Sequence, residues 1–408
     1  MRETKFKKTD IGEIPVNWDV SCLKNTCEIN PAVSGRKPEE FFYIDLESVE
    51  DGVLLKRQLV QRVNAPSRAQ RQIKTFDILY QTVRPYQRNN LYVDFECSKY
   101  IASTGYAVLR SKEGVSNSRF LYYVLLTDKF VKQVLDRCTG TSYPAINPSS
   151  LSEVQFALPT TLAEQERIAE ALSDVDGLLR ELDGVIAKKR AIKQGAMQEL
   201  LTGKRRLEGF EGEWKSHPFR DFYKYAAEGG TPNTSIKAYY ENGKVPFVKI
   251  EDTTRKYIYE SKSFITEEGL RHASAWLVPE NSIIFTNGAT IGNVSINKIP
   301  VSTKQGILGI IPSDIIDLEF MYYLLSNSIF QKEVEARETK GTFATIILPR
   351  LNEIVSFIPK DKAEQSAIAT ILSEMDADIE ALEAKRAKYE QLKQGMMQEL
   401  LTGKIRLV

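Results

Sequence analysis

Two stretches of the chain carry apolar residues at alternating steps of four and three. Ile168, Leu172, Val175, Leu179, Leu182 and Ile186 form one series, and Ile368, Leu372, Met375, Ile379 and Leu382 form the other. A mean period of about 3.5 predicts helices that present a narrow seam to another helix rather than a broad face to a core. The seam is expected to run on through Lys189 and Tyr389, then to shift phase at Ile192/Leu392 and Ala196/Met396, as a three-residue stammer would. Gly203 and Gly403 follow the last periodic positions and read as C-terminal caps. Each helix then runs about 40 residues, on the order of 60 Å at about 1.5 Å per residue.

The two series are copies of one text. "MQELLTGK" begins at Met197 and again at Met397, and "FLYYVLL" at Phe120 answers "FMYYLLS" at Phe320, both at an offset of 200. Further toward the start, "EIPVNW" ending at Trp18 resembles "FEGEWK" around Trp214, at an offset of 196. A constant offset marks a segment without insertions, and a changed one marks loops of different length. The chain therefore reads as an internal duplication, globular–helical–globular–helical, with parts at residues 1–158, 159–204, 205–360 and 361–408.

Between the helices the pattern is that of short strands and loops. "FDILYQTVRPYQRNNLYV" and "NSIIFTNGATIGNVSI" each place an apolar strand before a polar loop, and "ASTGYAVLR" and "VSTKQGILGI" each place a Gly-containing turn before one. The expected fold class is α+β: two mixed α/β domains joined by two long helices. Each seam needs a helix partner, and the other copy is the nearest. Antiparallel pairing would form a coiled coil and relate the two halves by a pseudo-two-fold axis. Duplex DNA has local two-fold axes, so such a chain is suited to two half-sites on opposite strands. The unlike domains would read unlike halves, giving an asymmetric, bipartite site.

Composition narrows the classes. A hydrophobic share of 42% is that of a globular chain. No run of 18 apolar residues occurs and "MRETKFKKTD" has no apolar leader, so a cytoplasmic protein is expected, with no membrane partner. Cys22, Cys27, Cys97 and Cys138 form no CxxC pair and stand far from His217 and His272, which argues for reduced thiols and against a zinc site. Net charge is only +1, yet residues 1–158 hold four more basic than acidic residues.

That surplus locates candidate DNA contacts. From Gly52 to Val93 the chain holds Lys56, Arg57, Arg62, Arg68, Arg71, Lys74, Arg84 and Arg88, with Asp77 as the one internal acid. Such a stripe suits phosphates. Within it Arg84 and Arg88 have the chemistry to pair with guanine, Gln87, Asn89 and Asn90 with adenine, and Tyr86 to stack or fill a groove. In the second half Asn287 and Thr290 occupy the matching loop, and Lys304 and Gln305 the following turn. "CTGTSYPAI" and "TKGTFATI" add Thr141, Ser142, Lys340 and Thr342. A solvated basic face is the plain alternative. Phe120, Tyr122, Tyr123 and their copies Phe320, Tyr322 and Tyr323 sit in helical context and read as core, and Glu164, Glu170, Asp174, Lys188 and Arg190 as the solvated face of the rod.

The layout resembles the specificity subunit of type I restriction–modification systems. The resemblance is carried by "IGEIPVNWDV" and its echo "FEGEWKSHPF", by "LPTTLAEQERIAEAL" and "IPKDKAEQSAIATIL", and by the doubled helix end. It implies two target recognition domains and an antiparallel helical spacer in a subunit without catalysis of its own. Its partners would be double-stranded DNA, two modification (methyltransferase) subunits holding S-adenosylmethionine, and restriction subunits using ATP and Mg. No cofactor is expected in this chain.

Catalytic signatures are correspondingly sparse. No "PP" dipeptide supports an adenine methyltransferase motif, and "LTGKRR" and "LTGKIR" lack the glycine and the Ser/Thr of a P-loop. Glu213-Trp214-Lys215 and Glu383-Ala384-Lys385 match an E-x-K nuclease fragment. A metal-dependent nuclease, and a two-headed protein-binding adaptor with a coiled-coil spacer, are the alternatives.

Overall fold

In the computed structural model of the chain, residues 4–32, 37–339 and 344–407 are described. The chain divides into two units: residues 1–183 with 385–408, and residues 184–384. Each therefore holds one globular part, half of its own long helix and half of the other.

The long helices span Leu162–Leu200 and Lys362–Leu400. Within unit 1, Glu164 meets Arg406, Asp176 meets Lys393 and Asp183 meets Arg386. Within unit 2, Lys189 meets Asp378, Lys193 meets Asp376 and Arg206 meets Glu364. In both, one number rises as the other falls, so the paired halves run antiparallel, as expected of a pseudo-two-fold arrangement. Ile168, Leu172, Val175, Leu179 and Ile186 are buried, as are Ile368, Leu372 and Ile379.

The expected phase shift does not occur. Ile192 and Leu392 are 50% and 49% exposed, and Lys189 is exposed too. A straight α-helix drifts by about 20° per heptad against a 3.5 repeat. The inward position falls instead to Lys193 and Lys393, whose side chains are only 21% and 20% exposed and pair with Asp376 and Asp176. Those carboxylates also accept hydrogen bonds from the buried phenols, Tyr323 to Asp376 at 2.6 Å and Tyr123 to Asp176 at 2.7 Å.

The helix ends explain the repeated text. Glu164, read from sequence as solvated, is buried: it accepts from Trp18 Nε1 at 3.2 Å and pairs with Arg406. Glu364 repeats this with Trp214 at 3.2 Å and with Arg206 at 2.6 and 2.8 Å. The adjoining amides are buried as well. Gln165 accepts from Asn117 N and donates to Pro159 O, and Gln365 accepts from Asp317 N and donates to Pro359 O. Gly203 and Gly403 both have φ of +70°, and a Cβ there would press on Trp214 or, at 2.3 Å, on Pro15. Glycine thus serves both the turn and the close approach of the tryptophan-bearing strand.

In unit 1 one sheet has the strand order Leu91–Tyr92, Ile78–Gln81, Tyr106–Ser111, Cys27–Ile29, all antiparallel. A second runs Gln58–Gln61, Glu40–Ile44, Tyr100–Ser103, Ala69–Gln72, with its middle pair parallel. In unit 2 the main sheet is Tyr223–Glu228, Ile307–Pro312, Ser282–Thr286, Val294–Asn297, Tyr257–Ile258. Asn117 caps the helix Ser118–Leu125 by accepting from Phe120 N, and Asp317 caps Leu318–Ser326 by accepting from Phe320 N. Phe120, Tyr123, Phe320 and Tyr323 are core residues, as expected, in clusters that include the long-helix seams.

Candidate nucleic-acid interface

In unit 1 the strand Ile78–Gln81 is wholly buried, and it delivers the chain into the loop that holds the basic and amide candidates. The loop is a single 3-10 turn, Pro85–Gln87, flanked by two left-handed residues: Arg84 at φ 54° and Arg88 at φ 56°. Left-handed backbone costs a residue with a Cβ roughly 1–2 kcal/mol, so the surroundings must impose it. Pro85 is buried, Arg84 N–H donates to Pro144 O at 2.7 Å, and the buried Asn90 side chain accepts from Gln81 N at 2.8 Å. The neighbouring loop is closed by the bridge Thr139–Ala145 and joined to the first by Val83–Ala145.

These loops and their neighbours line a cleft of about 770 Å³ with Arg68, Gln81, Arg84, Gln87, Asn89 and Tyr143 in its wall. Arg84 lies over the Tyr143 ring, 4.3 Å from its centre. Gln87 accepts from Gln81 Nε2 at 2.8 Å, leaving its own amide hydrogens to face outward partners. Tyr86, 50% exposed, stands at the turn, and Thr141 and Ser142 are exposed on the adjoining loop.

Two candidates go elsewhere. The Arg88 guanidinium donates to Leu126 O at 3.1 Å and pairs with Asp128 at the start of the helix Asp128–Leu135. It braces the loop rather than extending from it. Arg71 lies in the strand Ala69–Gln72, half-buried, with a buried Nε that has no hydrogen-bond partner among the described residues. That burial pulls its pKa below the ordinary arginine value.

Unit 2 repeats the plan with smaller residues. The buried strand Ser282–Thr286 leads to a loop where Ala289 is left-handed, at φ 59°. The bridges Thr339–Thr345 and Gly288–Thr345 match those of unit 1. Thr290, Lys304 and Gln305 are exposed. Asn287 is buried: its Nδ2 donates to Ile346 O at 3.2 Å while its Oδ1 has no partner among the described residues. Lys340 and Thr342 lie outside the described residues.

A sequence profile of the type I restriction modification DNA specificity domain matches this chain twice, over residues 15–188 and 211–394. The chain belongs to the type I DNA specificity family. Its function is recognition of DNA sequence. Among relatives, the putative MjaX specificity subunit of Methanocaldococcus jannaschii is 26% identical over all of this chain and 98% of its own length. The HindI specificity subunit of Haemophilus influenzae is 24% identical over 83% of this chain and 86% of its own. A solved S subunit from M. genitalium shares the fold with a TM-score of 0.60 at 15% identity, covering 98% of both chains. A chain from a study of assembly and conformational transition in a type I R-M system also gives 0.60, at 20% identity, covering 96% of this chain and 99% of that one. No described helix is long and apolar enough to cross a membrane.

Within this specificity chain, sequence reasoning passed over Tyr143 and Gln81. Tyr143 was visible as the one aromatic residue in "CTGTSYPAI". Gln81 was hidden inside an apolar strand and declares itself only through its bonds to Asn89, Asn90 and Gln87.

Proposed function

We propose that this chain is the non-catalytic sequence-reading subunit of a type I restriction–modification complex. Each unit reads one half of an asymmetric, bipartite DNA site. The helix pair sets the spacing and scaffolds two modification subunits and the restriction subunits. S-adenosylmethionine then belongs to the modification subunits, and ATP with Mg to the restriction subunits. The observation that carries this reading is one matched loop pair in each unit, in the same bridged geometry but with different side chains. Unit 1 offers Arg68, Arg84, Tyr86 and Gln87, whereas unit 2 offers Thr290, Lys304 and Gln305. A common scaffold with unlike tips is suited to two unlike half-sites.

The E-x-K fragments that suggested a nuclease are occupied by ion pairs, Glu213 with Lys215 and Glu383 with Arg190. The test is a gel-shift series on the chain with its modification subunits, joined to mapping of methylated adenines in the host genome. Salt-sensitive binding to one split sequence supports the reading. Binding without sequence preference, or metal-dependent cleavage by this chain alone, would overturn it.

A further inference from the structure

The unit 1 cleft is not lined by bases and amides alone. Glu47 and Glu50, both exposed, line it together with Arg68 and Arg84. Their mounting is stiff. Val49–Glu50 pairs with Val53–Leu54, and the turn between them, Asp51–Gly52, has φ of 48° and 78°. Two successive left-handed residues make the tight turn that suits a two-residue hairpin. A Cβ on Gly52 would fall 2.4 Å from the Tyr122 hydroxyl, so the turn is seated against the helix Ser118–Leu125. Asp51 N–H donates to Asn89 Oδ1 at 3.4 Å, which ties the hairpin to the loop carrying Arg84. On the near side, Ser48 is buried and its hydroxyl donates to Asp45 at 2.6 Å.

A fixed carboxylate next to DNA is repelled by phosphates. It is favoured only where a base edge offers an amino hydrogen. In the major groove, cytosine N4 and adenine N6 offer one, while guanine O6 and thymine O4 present lone pairs that a carboxylate rejects. The other wall supplies what this needs. Arg68 and Arg84 carry the guanidinium groups that suit a phosphate or a neighbouring guanine, and Tyr143 under Arg84 gives a flat apolar surface. We infer that Glu47 and Glu50 are specificity-determining residues that accept a hydrogen bond from the exocyclic amino group of a cytosine or adenine in the half-site read by unit 1. This rests on the DNA-reading function proposed above.

The test uses the chain with its modification subunits and a competition gel-shift panel in which each base pair of the site is replaced in turn. Glu47→Gln and Glu50→Gln keep side-chain size, but an amide both donates and accepts. At one or two positions of a single half-site, the preference for cytosine or adenine is expected to fall about ten-fold, with the other half-site unchanged. The inference is overturned if both variants bind all duplexes more tightly by the same factor, which is repulsion alone. It is also overturned if no preference moves. Failure of the underlying function is separate and appears first: the wild-type complex would then show no sequence preference at all.

Discussion

At the scale of single residues, two neighbouring arginines take opposite roles. Arg84 lines the cleft, whereas Arg88 is spent on Leu126 and Asp128. Arg84→Ala should weaken selective DNA binding about ten-fold or more without loss of thermal stability. Arg88→Ala should lower the melting temperature slightly, because the Asp128 carboxylate is exposed and such pairs contribute about 1 kcal/mol or less. Calorimetry and gel shifts on the two variants separate these effects. A second residue-scale expectation concerns pH. Burial, then the adjoining Asp176 and Asp376, push the Tyr123 and Tyr323 phenols above the ordinary tyrosine range. Folding therefore favours the protonated phenol. The resulting stability is whole below about pH 10 and is lost as pH rises beyond it. A Tyr123→Phe/Tyr323→Phe variant should show a shallower alkaline fall in melting temperature. The roles of Arg88 and Glu164 were illegible in sequence because their partners lie 40 and 242 residues away. A charged side chain without a local partner reads as solvated by default.

At the scale of elements, the helical pair was legible because its signal is periodic and local, whereas its direction is decided by the ion pairs of each unit. The helix ends were not. The buried triads Trp18–Glu164–Arg406 and Trp214–Glu364–Arg206 look in sequence like ordinary charges in a first turn and a tail. Removing one partner of a buried ion pair costs about 3–5 kcal/mol. Glu164→Gln should therefore destabilise strongly. Glu364→Gln should cost less, because the Arg206 side chain is 32% exposed and can hydrate, against 12% for Arg406. Urea unfolding of both variants checks the order. Gly195 and Gly395 interrupt the long helices where a Cβ would meet nothing within 4 Å. A helix-interior glycine costs about 1 kcal/mol against alanine, and no contact among the described residues calls for it. Alanine at both should stabilise the isolated chain. If the proposed modification subunits lie against this face, the same change should reduce their co-purification.

At the scale of the whole molecule, the proposed spacer function has a direct test. An insertion into one long helix would shift pairs such as Asp176–Lys393 and Lys193–Asp376 out of register. Matched seven-residue insertions after Asp183 and after Ala384 preserve them. They should lengthen the unread gap between methylated half-sites by roughly three base pairs. An unchanged gap would remove the helices as the ruler. The fold class at this scale was readable from the duplication together with the helical seam and the strand patterns between. The reading surfaces were only half readable, because strand order and bridging decide which loops stand together. Tyr143 and Arg84 are brought side by side by the Val83–Ala145 bridge, which no local pattern announces.

The division of the chain has a consequence in time. Unit 2 is one continuous stretch, whereas unit 1 draws on residues 385–408 as well as 1–183. A ribosome delivers the whole of unit 2 while unit 1 still lacks Leu400, Leu401 and Arg406, which belong to its core and to its triad. The half made first is thus the half finished last. Until then Trp18 and Glu164 lack Arg406.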